Sequence, residues 1–188
     1  MNEKYTNILT TSYRLFAEKG FEQTSMSLIA KEIGITKPAI YYYFNSKEDL
    51  IQTLFSHIIE EIKFTKYFNS QEYTKENFIS KLIEDGVNMM NKQLRDDYYN
   101  KIMNEYYVLS TRDSHYAEAL KNVLDEFLNG FFNLLQLAHE YELLLDDDLR
   151  TQAEFLTIIV DGLDKYSNAN YTFNPVSIWS FSVKSLFK

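Results

Sequence analysis

The 188 residues include no cysteine, are 45% hydrophobic and carry a formal net charge of −8. Such a chain can bury a core rather than stay disordered, and it can form neither a disulfide nor a thiolate metal site, which fits a reducing cytoplasm. Met-Asn-Glu-Lys-Tyr at the start lacks the layout of a signal peptide, and runs such as Leu143-Leu144-Leu145 fall far short of a bilayer span, so a soluble intracellular protein with no membrane partner is expected.

The charge is unevenly placed. Residues 1–47 hold six Lys/Arg against four Asp/Glu, whereas residues 48–188 hold thirteen against twenty-three. The first part is therefore mildly basic, which permits a polyanionic partner because binding follows local potential.

Apolar residues recur at three- and four-residue steps along most of the chain, which predicts an all-α fold without a sheet. Roughly nine helices are expected, over 3–19, 26–33, 37–43, 47–68, 75–96, 98–110, 114–141, 147–168 and 175–187. Gly20 stands where the first helix would take a left-handed terminal residue. Pro38 and Pro175 fall in first turns, leaving helix interiors intact. Ser46 with Asp49 offers a capping-box-like start to the fourth helix. Asp85-Gly86, Asn129-Gly130 and Asp161-Gly162 look like hairpin turns locally, but their helix-spaced flanks overrule that reading. Two domains are expected: 1–46, and 47–188, joined rigidly through helix 47–68.

Two short helices joined by a tight turn occupy 26–43. Their steep crossing needs a small side chain, supplied by Ala30, and the turn needs positive φ, supplied by Gly34. Ile29, Ile33, Ile35 and Ile40 can close a small core, with Phe44 anchored near Leu50 and Leu54. Thr36 can cap the second short helix, and Lys37 can reach a base edge or a phosphate. Tyr41, Tyr42 and Tyr43 span about 200° of helix circumference, so at least one must face outward. Tyrosine hydroxyls bond phosphates, and the rings can touch thymine methyls. One of Tyr42 and Tyr43 is expected to pack partly inward. Lys47 opens a helix, an unfavourable place for a cation unless an anion lies beside it.

The run Ile8-Leu9, Leu15-Phe16, Gly20-Phe21, Thr24-Ser25-Met26, Ile29-Ala30, Gly34-Ile35-Thr36-Lys37, Ile40 to Phe44, Ser46-Lys47 and Leu50 resembles the DNA-binding domain of TetR-type transcriptional regulators. The resemblance covers about the first fifty residues. It implies an all-α homodimer that binds a double-stranded DNA operator and usually represses until a small molecule binds the C-terminal domain. On matching positions it implies that Ser25, Tyr42 and Lys47 hold phosphates. Lys37, Pro38, Tyr41 and Tyr43 would face the major groove, with Thr36 near the backbone.

The C-terminal part is read more coarsely. Helices 147–168 and 175–187 are apolar on more than one face and are expected to pair with their symmetry mates. Phe155, Ile159, Gly162, Leu163, Trp179, Val183 and Leu186 would form that interface, against the competing reading of an ordinary core. Tyr98, Tyr99, Met103, Tyr106, Tyr107, Phe127 and Phe131 are candidates for a pocket that takes a flat aromatic or cationic effector, with Glu105 or Asp125 as its carboxylate. Helix-spaced aromatics also read as core. Catalysis is not expected. His139-Glu140 begins like a zinc-protease motif, but Leu143 stands where the second histidine belongs, and no phosphate loop or nucleophile motif is present. A rival class, a helical module that binds protein, would show exposed Leu or Met anchors instead of Lys37, Tyr41 and Lys47.

Overall fold

The computed structural model describes residues 3–166 and 173–188, with the side chain of Leu94 left out. Among the described residues the helices are α1 (Glu3–Gln23), α2 (Met26–Ile33), α3 (Lys37–Tyr41), α4 (Lys47–Glu61), α5 (Phe78–Leu94), α6 (Tyr99–Ser110), α7 (Ser114–Glu140), α8 (Leu149–Tyr166) and α9 (Pro175–Lys184). Single 3-10 turns lie at Phe64–Lys66 and Ser70–Glu72. No strand is formed among them, and the fold is all-α. Residues 167 and 168, expected at the end of the eighth helix, lie outside the described residues.

Of the boundaries that differ from expectation, three stand out. The helix expected over 47–68 stops at Glu61, and Phe64 and Phe68 turn inward to stack on each other with ring centroids 4.7 Å apart. The last helix stops at Lys184 because the chain end pairs with the segment after α7: Leu145 N–H donates to Leu186 O at 3.0 Å, and Lys188 N–H to Leu143 O at 2.9 Å. The third helix ends at Tyr41 instead of continuing to 43, so Tyr42 and Tyr43 sit in the turn beyond it. The three Gly-containing turn look-alikes are all helical.

The chain forms two compact units, one made of Met1–Glu61 with Asp97–Ala119 and the other of Ile62–Asp96 with Leu120–Lys188. The first contains the basic N-terminal segment and also takes in α4 and α6. Aromatic packing is the reason: Tyr106 of α6 is fully buried, edge-on to Phe21 at 5.0 Å and tilted against Phe55 at 4.7 Å. Its hydroxyl donates to Ile51 O at 2.9 Å, which satisfies the only polar atom of the side chain. Burial pushes the Tyr106 phenol well above its ordinary value, so it stays a neutral donor.

The second unit is built on α5, α7, α8 and α9 around Trp179, Phe78, Phe131 and Leu82, all fully buried. The indole of Trp179 lies against Gly86, where a Cβ would collide with the ring. Its Nε1–H is shared between Leu82 O and Ile83 O, each at 3.2 Å. Phe64 fills the matching notch at Gly130. The mid-helix glycine in α7 thus makes room for one aromatic ring.

Candidate DNA-binding surface

Ser25 starts α2: its hydroxyl accepts from Leu28 N–H at 3.2 Å while its backbone is extended. Met26, Ile29 and Ala30 face inward, and Ile33 and Ile35 are half-buried. The helix ends on Gly34 at φ 78°, ψ 29°, and Ile35 N–H closes back on Ala30 O at 2.9 Å. A Cβ at Gly34 would meet nothing within 4 Å, so glycine is needed there for its left-handed backbone and not for space.

Thr36 is the N-cap residue of α3, but its side chain makes no capping bond. That corrects the expected cap: Pro38 in the first turn, with the backbone bonds of Ala39 and Ile40 to Thr36 O, starts the helix instead. The hydroxyl of an exposed Thr36 is left facing outward with α3's first turn. Ile40 and Phe44 are buried and anchor the helix, Phe44 stacking on Tyr5 at 5.2 Å. Lys37 and Pro38 are exposed, with Lys37 Nζ 5.9 Å from the Tyr41 ring centroid.

The three tyrosines, one at the end of α3 and two in the turn beyond it, face different ways. Tyr42 is 83% exposed and Tyr41 42%. Tyr43 is half-buried, its ring 6.5 Å from Tyr5, and it is the inward-packing member. Lys47 differs from expectation. Its ammonium donates to Phe21 O at 2.9 Å, so a carbonyl of the α1–α2 corner explains a cation at this helix start. Ser46 Oγ accepts from Asp49 N–H at 3.0 Å, and Asp49 Oδ2 accepts from Asn45 N–H at 2.8 Å, close to the expected box but one residue earlier on the return bond.

Sequence reasoning missed the residues that brace this surface. Tyr5 supports Phe44 and Tyr43, and Arg14 bridges α1 to α2 through Glu32 at 2.6 Å and to Glu18 at 3.2 Å. Nothing local marks either role. Arg14 with Glu18 has the i, i+4 spacing of a helical ion pair, but its bond to Glu32 depends on the fold.

The pocket candidates are mostly core. Tyr99, Met103 and Tyr106 are buried in the first unit, while Phe127 and Phe131 are buried in the second. Phe131 packs on Phe64, Phe68 and Trp179 at 5.2–6.0 Å. Tyr98 and Tyr107 are half-buried, with the Tyr98 hydroxyl donating to Glu18 at 3.2 Å. Glu105 accepts from Phe21 N–H, and Asp125 pairs with Lys121.

The interface candidates divide too. Trp179 and Val183 are fully buried within the chain, and Leu163 nearly so, because Trp179 fills the notch at Gly86. Leu186 and Ile159 are half-buried, while Phe155 is exposed. On the same two helices, Ile158 and Phe181 are strongly exposed, at 68% and 74%. An apolar groove of about 550 Å³ is lined by Ile158, Ile159, Gly162, Leu163, Tyr166, Phe173 and Ile178.

Two short helices around a left-handed glycine, braced by a third and presenting Lys and Tyr side chains, make this a helix-turn-helix protein. Residues 8–54 match the model of the bacterial regulatory proteins of the tetR family. The chain is 55% identical over 51 residues to the uncharacterized HTH-type transcriptional regulator YerO of Bacillus subtilis (strain 168). That alignment spans 27% of this chain and only 18% of YerO. A TetR transcription regulator from Haloarcula marismortui ATCC 43049 shares the whole fold at a TM-score of 0.80, with 14% identity and full coverage of both chains. A transcriptional regulator from Saccharomonospora viridis, solved in complex with choline, superposes at 0.72 with 18% identity over 98% of this chain and 95% of its own. Over residues 8–54 the chain is thus similar to the tetR family of bacterial regulatory proteins, and its fold is that of solved TetR regulators. Among the described residues no helix is long and apolar enough to cross a membrane.

Proposed function

We propose that the protein is a cytoplasmic, homodimeric transcriptional repressor that reads a pseudo-palindromic double-stranded DNA operator and is released by a small molecule. The observation that carries this reading is α3, a five-residue helix held by buried Ile40 and Phe44 while Lys37, Pro38, Tyr41 and Tyr42 face solvent. A helix so short, with its polar and aromatic tips turned outward, suits a major groove better than a protein core. Lys37, Pro38 and Tyr41 are assigned to base edges. Ser25, Thr36, Tyr42 and Lys47 are assigned to phosphates, Lys47 through the two N–H groups not given to Phe21. Tyr43 supports the helix from behind. Residues 1–46 do the reading, and 47–188 bind the effector and the second subunit.

Dimerisation is supported by the face of α8 and α9. Phe155, Ile158, Tyr166, Val176 and Phe181 are exposed large hydrophobics beside the apolar groove, and a patch of that kind calls for a partner. Trp179 and Val183, held in the core, have no part in it. The effector reading is supported by the choline complex of a protein with the same fold, and a cationic or aromatic compound is assigned as the class. Such a ligand releases DNA only if it prefers one of two conformations.

The test is selection of bound sequences from random duplexes by the purified protein at moderate salt. Recovery of a pseudo-palindrome with half-sites spaced by one helical turn, or a multiple of it, is expected. A folded sample that enriches no sequence overturns the reading and leaves a helical protein-interaction module.

A further inference from the structure

One glutamate in the middle of α6 has a bond far from its own helix. The corner between α1 and α2 breaks at Gly20, whose φ of 79° and ψ of 164° interrupt the α1 ladder. The break withdraws Phe21 N–H from the α1 ladder, and Phe21 O lies in the last turn, where no intrahelical donor follows. Phe21 N–H donates to Glu105 Oε2 at 2.7 Å, and Phe21 O accepts from Lys47 Nζ at 2.9 Å. The Phe21 ring is buried edge-on to Phe16 and Tyr106, which leaves the backbone as the adjustable part. The Glu105 carboxylate also lies 3.3–3.5 Å from where a Gly20 Cβ would stand, so the corner and the carboxylate are fitted to each other.

The same face of α6 makes a second contact. Tyr98, Ile102 and Glu105 stand at i, i+4 and i+7, on one side of the helix. Tyr98 donates to Glu18, which holds Arg14, which in turn holds Glu32 on α2. The Arg14 and Tyr98 links are exposed and weak individually. The Glu105 link is partly buried and charge-assisted, and is the stronger of the two.

We propose that Glu105 is a positioning residue for the helix-turn-helix: its carboxylate, delivered by α6, fixes the α1–α2 corner and thereby the presentation of α3. The chain passes from the second unit to the first at Asp97 and back after Ala119, so the α6 segment enters the helix-turn-helix unit with its neighbours on both sides in the other unit. Displacement of α6 along its axis withdraws the carboxylate from Phe21 and loosens the corner. This deepens the regulator reading above and rests on it.

Three variants of the full chain test the proposal. Glu105→Gln retains an acceptor at the same reach, Glu105→Asp keeps the charge but withdraws it by one methylene, and Glu105→Ala removes it. Two readouts are needed: hydrogen exchange at the Phe21 amide, and affinity for the duplex that the wild-type protein selects. Expected is exchange at Phe21 at least about tenfold faster in the Ala and Asp variants, with duplex binding about tenfold weaker and Glu105→Gln restoring both to within about threefold. Unfolding followed by Trp179 fluorescence, which reads the second unit, should stay unchanged. Wild-type exchange at Phe21 in Glu105→Asp and Glu105→Ala overturns the proposal. So does fast exchange with unaltered duplex affinity, which would make Glu105 a local tie only. A wild-type protein that selects no duplex overturns the regulator reading and this one together, whereas a binding wild type with equally binding variants overturns this one alone.

Discussion

The short helix α3 and the C-terminal helix α9 are built from similar local parts. Each has proline in its first turn, and each carries aromatic side chains within a few residues of its start. Their fates differ. On α9 the N-cap Asn174 accepts from Ser177 N–H at 3.0 Å, and Trp179 is fully buried against Gly86 of α5. On α3 the N-cap side chain makes no bond, and Tyr41 and Tyr42 remain in water. The difference is whether another element offers a notch. Gly86 makes one for Trp179, while α3 is anchored by Ile40, with Phe44 just beyond it, and Tyr41 and Tyr42 stay exposed. Buried aromatics of this kind carry stability, and the exposed ones beside α3 are those the proposal assigns to recognition.

The sharpest way to break that comparison is Trp179→Ala. It should cost about 3–5 kcal/mol in urea unfolding, measured by circular dichroism, because a large ring and its hydrogen bond are lost from a site that cannot collapse around Gly86. A loss under about 1 kcal/mol would mean that the second unit is not organised around this residue. Next come Lys37→Ala and Tyr42→Ala, expected to weaken binding to the selected duplex by about 1–3 kcal/mol each. Their unfolding midpoints should move by no more than about 0.5 kcal/mol. The Lys37 variant should also relax discrimination at the base pair it contacts. If either variant lost stability as Trp179→Ala does, the division between recognition and core would fail.

The smallest expected effect concerns acidity in α8. Half-buried Asp164 has its carboxyl raised to about 6 by burial, with Asp161 adding to the shift. A carboxyl raised above its unfolded value favours the folded state when protonated. Its contribution is therefore present below about pH 4 and is lost as pH rises through 6. Asp164→Asn should remove that loss, making the protein more stable than wild type at pH 7 and no more stable at pH 4. Equal pH profiles for the two proteins would show that Asp164 is solvated.

The helix-turn-helix was largely legible because its signals are local. A small residue at the crossing, glycine at the left-handed turn and proline in the first turn of α3 each act within a few residues, and the structure places Ala30, Gly34 and Pro38 accordingly. The alternation of apolar residues likewise determined that the chain is all-α, and it overruled three hairpin-like dipeptides. Lys47 was legible as an oddity, a cation at a helix start, but not as the partner of Phe21 O, since only the fold brings that last-turn carbonyl of α1 beside it.

What the tertiary structure alone decided was the destination of each aromatic and of each long polar side chain. Tyr106 and Phe131 read equally well as pocket lining or core, and Trp179 as interface or core. Periodicity reports that a helix face is apolar and says nothing about what covers it. The same holds for Glu105, whose role depends on a backbone amide far away in the chain. By itself the sequence determined the helices, the turn and the likeness of residues 8–54 to the tetR family, because these arise from short-range geometry. Which side chains remained exposed was settled by long-range packing, where a notch at Gly86 takes the Trp179 ring while Tyr42 stays in solvent.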